Sequence, residues 1–272
     1  MMNRRPAIVI GLPVYNEEAA LPKLLDRLEA LRDKLGEPPR VVFVDDGSTD
    51  RTAAIVERFS ATYPCAVRIA HPTNRGLGAA MQTMLAYVVR HYGDADVLVT
   101  LDADNTHNPA LIPAMVDKLR DERLELVIAS RFAPGGRELG LSLRRKLYSR
   151  GARLFFKLLF PIPRITDYSS GFRAYSVALL RRAYREYDGA LVTTGGFACT
   201  AEIAARLAKI GVKAGECPLV LEYHLKEGRS KMNVRRTVAG YFRLLRAVKA
   251  PSAPAETERP AGLLERQGES GA

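Results

Sequence analysis

The sequence predicts an α/β fold, a mostly parallel sheet flanked by helices, and three observations lead there. Short apolar runs alternate with helix-period segments through the first half of the chain. Each run ends in a polar cluster, the usual place for ligands in an open α/β sheet. The 272 residues, 47% hydrophobic and 26% charged, suit one folded core of about 200 to 250 residues with appendages.

The elements follow in order. Residues 7–12 read as a buried strand, and 17–34 as a helix with Leu21, Leu24, Leu25, Leu28 and Leu31 on one face. Residues 41–44 form the next strand, ending in Asp45 and Asp46; Asp50 then stands where an N-cap belongs, before a helix running to Phe59. Residues 67–70 are a third strand, 77–90 a helix, 97–101 a fourth strand, 109–119 a helix and 126–129 a fifth strand. After Arg131 the pattern changes. Leu143, Leu147, Gly151, Leu154 and Leu158 share one helical side and Lys146, Arg150, Arg153 and Lys157 another, which predicts a basic amphipathic helix. A second is expected over 234–249, with Val238, Tyr241, Phe242 and Leu245 as its stripe. Residues 250–272, rich in Pro, Ala, Glu, Gly and Ser, read as a disordered tail.

Composition excludes several classes. Three cysteines without ligand spacing argue against a disulfide framework or a zinc site and for a reducing compartment. No apolar run reaches bilayer length, and the first residues lack the apolar core of a signal peptide, so a cytoplasmic protein is expected. The net charge of +11 is local: residues 131–164 carry +8 and 226–249 carry +7, leaving the remainder at −4. That describes two patches for an anionic partner rather than a generally basic, nucleic-acid-binding surface.

The sharpest chemical signal is Asp102-Ala103-Asp104 at the end of the fourth strand. Two carboxylates two residues apart can hold a hard divalent cation together with diphosphate oxygens; the plain alternative is a loop that happens to begin with acids. Asp46 can accept from a nucleobase or ribose, with Asp50 capping the following helix. Tyr15 can stack on a base and Glu17 bond it, against the alternative of a proline turn capped by Asn16. Arg75-Gly76-Leu77-Gly78 can bring backbone amides near a phosphate at a helix start. Neither a Walker loop nor a dinucleotide fingerprint is present.

Taken together, 13–17, 45–50 and 102–104 resemble family 2 glycosyltransferases of the GT-A, Rossmann-like fold. Ala129-Ser130-Arg131-Phe132, Arg144-Arg145-Lys146, Ser170-Gly171-Phe172-Arg173, Gly196-Phe197 through Glu202, and Gly228-Arg229-Ser230-Lys231 extend the likeness to the dolichol-phosphate mannosyltransferase branch and related polyprenyl-phosphate sugar transferases, over roughly residues 8–233. The resemblance implies that Pro13, Tyr15, Glu17, Asp46 and Asp102 hold the nucleotide, and that Asp102 and Asp104 hold Mg²⁺ or Mn²⁺. Thr106 stands where the family often has a Gln as a further metal ligand. Arg131, Arg144, Arg229 and Lys231 would grip the acceptor phosphate and the donor diphosphate, since a guanidinium fork matches phosphate. Asp104, Arg131, Arg229, Lys231 and Glu202 are the catalytic candidates, with Glu202 either a general base or an ordinary helix acid.

The expected organisation is one GT-A domain over 1–233, with a nucleotide-sugar half near 7–131 and an acceptor half near 132–233. The expected reaction is metal-dependent, inverting transfer of a hexose from a GDP-mannose or UDP-glucose type donor to a dolichyl or undecaprenyl phosphate. It would take place at the cytoplasmic face of an anionic membrane, where a small membrane-spanning subunit is a further possible partner. The rivals are transfer to a hydroxyl acceptor with Glu202 as base, and a non-enzymatic nucleic-acid or membrane binder.

Overall fold

The computed structural model describes residues 6–140, 143–196 and 198–225. The expected helix at 234–249, the tail at 250–272, and Arg229 and Lys231 lie outside them.

Seven strands make one sheet in the order β3-β2-β1-β4-β7-β5-β8. β1 (Ile8–Val14) lies between β2 (Arg40–Asp45) and β4 (Val97–Thr100), parallel to both, and β3 (Ala66–Ala70) continues the parallel run beyond β2. Beyond β4 comes β7 (Arg173–Ser176), antiparallel to both its neighbours, then β5 (Leu126–Ser130) and β8 (Ala214–Pro218). A separate parallel ribbon pairs β6 (Arg137–Leu139) with β9 (Val220–Glu222).

The central strands are buried on both faces, so they read as continuous apolar runs rather than alternating ones. Successive residues nevertheless serve different layers. Val9, Val42, Leu98 and Ile128 pack with one helical layer: α4 (Leu77–His91), α6 (Leu143–Leu159), α7 (Val177–Glu186) and α8 (Ala198–Lys209). Ile10, Phe43, Val99 and Val127 pack with the other: α1 (Leu21–Glu29), α3 (Thr52–Thr62) and α5 (Ile112–Asp121). Each buried Leu, Ile or Val contributes about 1.5–3 kcal/mol relative to exposure.

The helix expected over 17–34 is two pieces. The Glu17 carbonyl accepts from the amides of Ala20 and Leu21 and closes a turn, after which Pro22 opens α1, where its missing N–H costs nothing. A second short helix, α2 (Arg32–Leu35), follows and stops at Gly36, whose φ of 70° is left-handed. Asp50 caps one residue earlier than expected: its carboxylate accepts from Thr52 N–H at 2.9 Å and from Glu18 N–H at 3.2 Å, which ties the first and second strand-end loops together.

The chain order reverses between β1 and β4, since β2 and β3 lie to one side and the later strands to the other. A crevice opens there at the carboxyl ends of the strands. Pro13 of β1 and Asp102 after β4 line a cavity there, and the loops after β1 and β2 are bonded to each other.

Candidate active site

The loops after β1 and β2 are fastened to each other. Asn16, at a φ of 49°, donates its backbone N–H to Ser48 Oγ at 3.1 Å and accepts from Thr49 N–H at 2.8 Å. Glu17 N–H donates to Thr52 Oγ1 at 2.8 Å. Tyr15 and Glu17, both partly exposed, are thus carried on a loop whose backbone is fixed. Asp45 is buried and paired with Arg68 at 2.7 Å; burial alone would raise its carboxyl, but Ser48 and Arg68 outweigh it and hold it below the usual carboxylate range.

Asp46 is more occupied than expected of a nucleotide ligand. Its Oδ1 lies 2.7 Å from His71 Nδ1 and accepts from Arg75 N–H at 2.9 Å, and its Oδ2 accepts from Gly76 N–H at 2.7 Å. Of the 75–78 amides expected near a phosphate, those of Arg75 and Gly76 are taken by Asp46. His71, which sequence reasoning left without a role, joins this loop to α4 through Thr83 at 2.9 Å. Gly47, with a φ of 70°, permits the close approach: a Cβ there would sit 2.5 Å from the Thr73 carbonyl carbon.

Asp102 and Asp104 leave the end of β4 on one loop but in different surroundings. Asp102 lines a shallow cavity with Pro13, Leu77, Gly171, Tyr175 and Thr200, and its side chain is 36% exposed. Asp104 is buried, and its Oδ1 accepts from the Thr106 hydroxyl at 2.7 Å and the Thr106 N–H at 3.2 Å. The Thr in place of a Gln thus holds the second carboxylate. His107 is buried against Phe172, with Nδ1 accepting from Asp102 N–H at 3.3 Å. Thr100 donates its hydroxyl to the Gly171 carbonyl at 2.8 Å, closing the cavity's far wall.

That wall rests on Arg173, which is fully buried. Its guanidinium donates to the carbonyls of Ser170, Thr200 and Tyr168, each at 2.8 Å, and so joins the 168–171 loop to α8. The motif around it was legible in the sequence; its function as a three-way strut was not.

Two of the catalytic candidates are already engaged by neighbouring side chains. Glu202 is fully buried. Its carboxylate accepts from the amides of Thr193 and Thr194 at 2.9 and 2.8 Å, from their hydroxyls at 2.5 and 2.8 Å, and from Arg206 at 3.1 Å. A carboxylate so enclosed holds the 193–194 loop on α8, the helix-acid alternative rather than an open base. Arg131 forms a two-pronged pair with the fully buried Asp167, both contacts at 2.8 Å, donates to Ser169 at 2.7 Å, and lies 3.5 Å from Glu138. An acceptor phosphate would have to compete with these groups, so this guanidinium braces the 167–170 loop against the end of β5. Asp167 was missed because it sits in an irregular stretch without periodic signal.

Of the remaining acceptor candidates, Arg144 belongs to the backbone of α6 and its side chain lies outside the described residues. The expected outer stripe of α6 is partly present. Leu154 and Leu158 are 61% and 72% exposed, whereas Phe156 and Phe160 are core and Phe155 packs against it. Phe132 lies beneath the guanidinium groups of both Arg131 and Arg153, at 5.3 and 5.1 Å. Among the described residues no helix is long and apolar enough to cross a membrane, and no group of three His, Cys, Asp or Glu side chains is arranged to hold a metal ion.

Comparison with known proteins places this geometry. The model of the family described as "Glycosyl transferase family 2" matches residues 9–186. The chain is 33% identical over 225 residues to the undecaprenyl-phosphate mannosyltransferase of Micrococcus luteus, covering 82% of this chain and 86% of that protein. It is 29% identical over 226 residues to the polyprenol monophosphomannose synthase of Mycolicibacterium smegmatis, covering 83% and 80%. In fold it is similar to glucosyl-3-phosphoglycerate synthase from Mycobacterium tuberculosis, solved with Mn²⁺, UDP and phosphoglyceric acid. The TM-score is 0.61 at 20% identity, over 88% of this chain and 78% of that one. The sheet order, the acidic strand ends and these matches agree: the chain belongs to glycosyl transferase family 2 and is a glycosyltransferase of the GT-A type.

Proposed function

We propose that this enzyme transfers mannose from a GDP-mannose type donor to a polyprenyl phosphate at a membrane surface. The observation that carries the reading is the Asp102–Asp104 loop at the sheet's switch point, in a chain whose relatives are named for polyprenyl-phosphate mannose transfer. Tyr15 and Glu17 would contact the base, with Pro13 in the cavity wall beside the diphosphate. Asp46 would act chiefly by shaping the 71–76 loop.

Asp102 at the cavity and Asp104 on the same loop would be the residues to hold Mg²⁺ or Mn²⁺. Two hard carboxylate oxygens suit a cation that takes its remaining ligands from diphosphate and water, as Mg²⁺ commonly does. When bound, such an ion offsets charge developing on the departing diphosphate. An oxygen of the acceptor phosphate attacks the anomeric carbon from the face opposite the leaving group; a new C–O–P linkage forms, the C1–O bond to the diphosphate breaks, and the nucleoside diphosphate departs with inversion. A phosphate acceptor is already anionic at neutral pH and has no proton to give up. The enclosure of Glu202 supports this acceptor over a hydroxyl.

Arg144, Arg229 and Lys231 would bind the acceptor phosphate, with Arg131 positioning the loop beside them. The outward-facing Leu154 and Leu158, flanked by the exposed Arg150 and Lys157, suit shallow contact with an anionic leaflet.

The test is a panel of labelled nucleotide sugars offered with polyprenyl phosphate or the matching polyprenol, with Mn²⁺, followed by organic extraction. Label in the lipid phase from GDP-mannose and polyprenyl phosphate supports the reading. Label only with polyprenol transfers it to the hydroxyl-acceptor class. Asp104→Ala and excess chelator should each abolish transfer, and full turnover in chelator would remove the metal from the account.

A further inference from the structure

The loop that carries the two carboxylates is gripped from behind. Asn105, between Asp104 and Thr106, is buried and has a left-handed φ of 61°. Arg27, in the last turn of α1, donates one guanidinium nitrogen to both the Asn105 side-chain oxygen at 2.9 Å and its carbonyl at 3.3 Å. The other terminal nitrogen pairs with Glu222 at 3.1 Å. Glu222 closes β9 and donates its own N–H to the Thr106 carbonyl at 3.1 Å. Thr106 in turn gives both its N–H and its hydroxyl to Asp104. A continuous set of contacts therefore runs from α1 and β9 through Asn105 and Thr106 to the Asp104 carboxylate.

From this we infer that Arg27 and Glu222 form a positioning clamp that sets the aim of Asp104 toward a divalent cation. The inference rests on the metal reading proposed above and extends it to residues that touch neither metal nor donor. A cation on both the side chain and the carbonyl of a left-handed Asn restrains the backbone next to the carboxylate immediately before it. Glu222 plays two parts: its carboxylate keeps Arg27 in place and its amide holds the next residue of the loop.

The experiment uses the full chain and reads Mn²⁺ binding directly, by electron paramagnetic resonance titration in the presence of GDP, alongside GDP binding without metal and a thermal melt. Arg27→Met should weaken Mn²⁺ binding by about tenfold, the lower end of the range for residues that support a metal ligand. GDP binding without metal should stay unchanged. Arg27→Lys, which keeps one cationic donor near Asn105, should recover part of the loss. Glu222→Gln, which keeps the amide contact, should show a smaller weakening in the same direction. These two variants carry the test if Arg27→Met does not fold. Unchanged Mn²⁺ affinity in Arg27→Met, or an equal loss of metal-free GDP binding, would overturn the clamp alone. Failure of the wild-type protein to bind Mn²⁺ with GDP would overturn the metal reading itself, and the clamp with it.

Discussion

Glu202→Gln separates a structural carboxylate from a catalytic one. The wild-type side chain accepts from two amides, two hydroxyls and Arg206 while fully buried. The amide replacement turns one acceptor into a donor facing these donors, and leaves Arg206, itself buried, without its charge partner. Removing one member of a buried pair costs about 3–5 kcal/mol. Taking the lower figure, at about 2–4 °C per kcal/mol for a domain of this size, the Tm should fall by about 6–12 °C. Circular dichroism melts measure that fall. Transfer to polyprenyl phosphate, assayed well below the new Tm, should keep kcat within a few-fold and leave the shape of its pH profile unchanged. A kcat loss of about 10² to 10⁴-fold, the range for a missing general base, with an unchanged Tm would refute the reasoning.

Asp167 gives a pH prediction. Burial alone would raise its carboxyl, but the charge and hydrogen bonds of Arg131 outweigh it and hold it below the usual range. A depressed folded-state value means the stabilisation is present above the unfolded carboxyl value, about 4, and is lost as pH falls through the folded one. Melts from pH 2 to 8 should show Asp167→Asn less stable at neutral pH and with a shallower acid decline; an acid decline as steep as the wild type would contradict this. Gly78→Ala would place a Cβ 2.1 Å from the Thr194 carbonyl oxygen. Overpacking of this kind costs about 1–3 kcal/mol, so the Tm should fall and, because the 193–195 loop must shift beside the cavity, the donor KM should rise; kinetics equal to wild type would refute the close packing. Vesicle flotation should show binding to anionic liposomes that weakens with salt and on changing Arg150, Arg153 and Lys157 to Ser, each basic residue contributing about 1 kcal/mol. No binding to anionic vesicles at low salt would point to recruitment by another subunit.

β1, β2 and β4 were legible because they are buried on both faces and read as apolar runs, each ending where chemistry can be placed. β7 was not. Its first residue is a buried arginine, and the three carbonyls that satisfy it come from Tyr168, Ser170 and Thr200, whose relation to it no sequence window shows. The helix expected as one piece over 17–34 starts late, with Pro22 in its first turn, is interrupted at Ala30 and Leu31, and stops at a left-handed Gly36. In the site, the positions of Tyr15, Glu17, Asp46, Asp102 and Asp104 could be read from strand ends. What could not be read was which side chains were already engaged. Asp46 meets partners 25 to 30 residues away, and Arg131 meets Asp167 across 36 residues. Only the folded chain reveals that Glu202 is enclosed by a loop eight and nine residues before it.

The central claim is that a phosphate oxygen of a polyprenyl lipid is the nucleophile, and ³¹P NMR of the purified lipid product tests it most directly. After incubation with GDP-mannose, Mn²⁺ and polyprenyl phosphate, the account predicts that the lipid phosphomonoester resonance is replaced by that of a phosphodiester, with GDP released in equal amount. An unchanged phosphomonoester, with mannose recovered on a hydroxyl or only as free sugar, would contradict it.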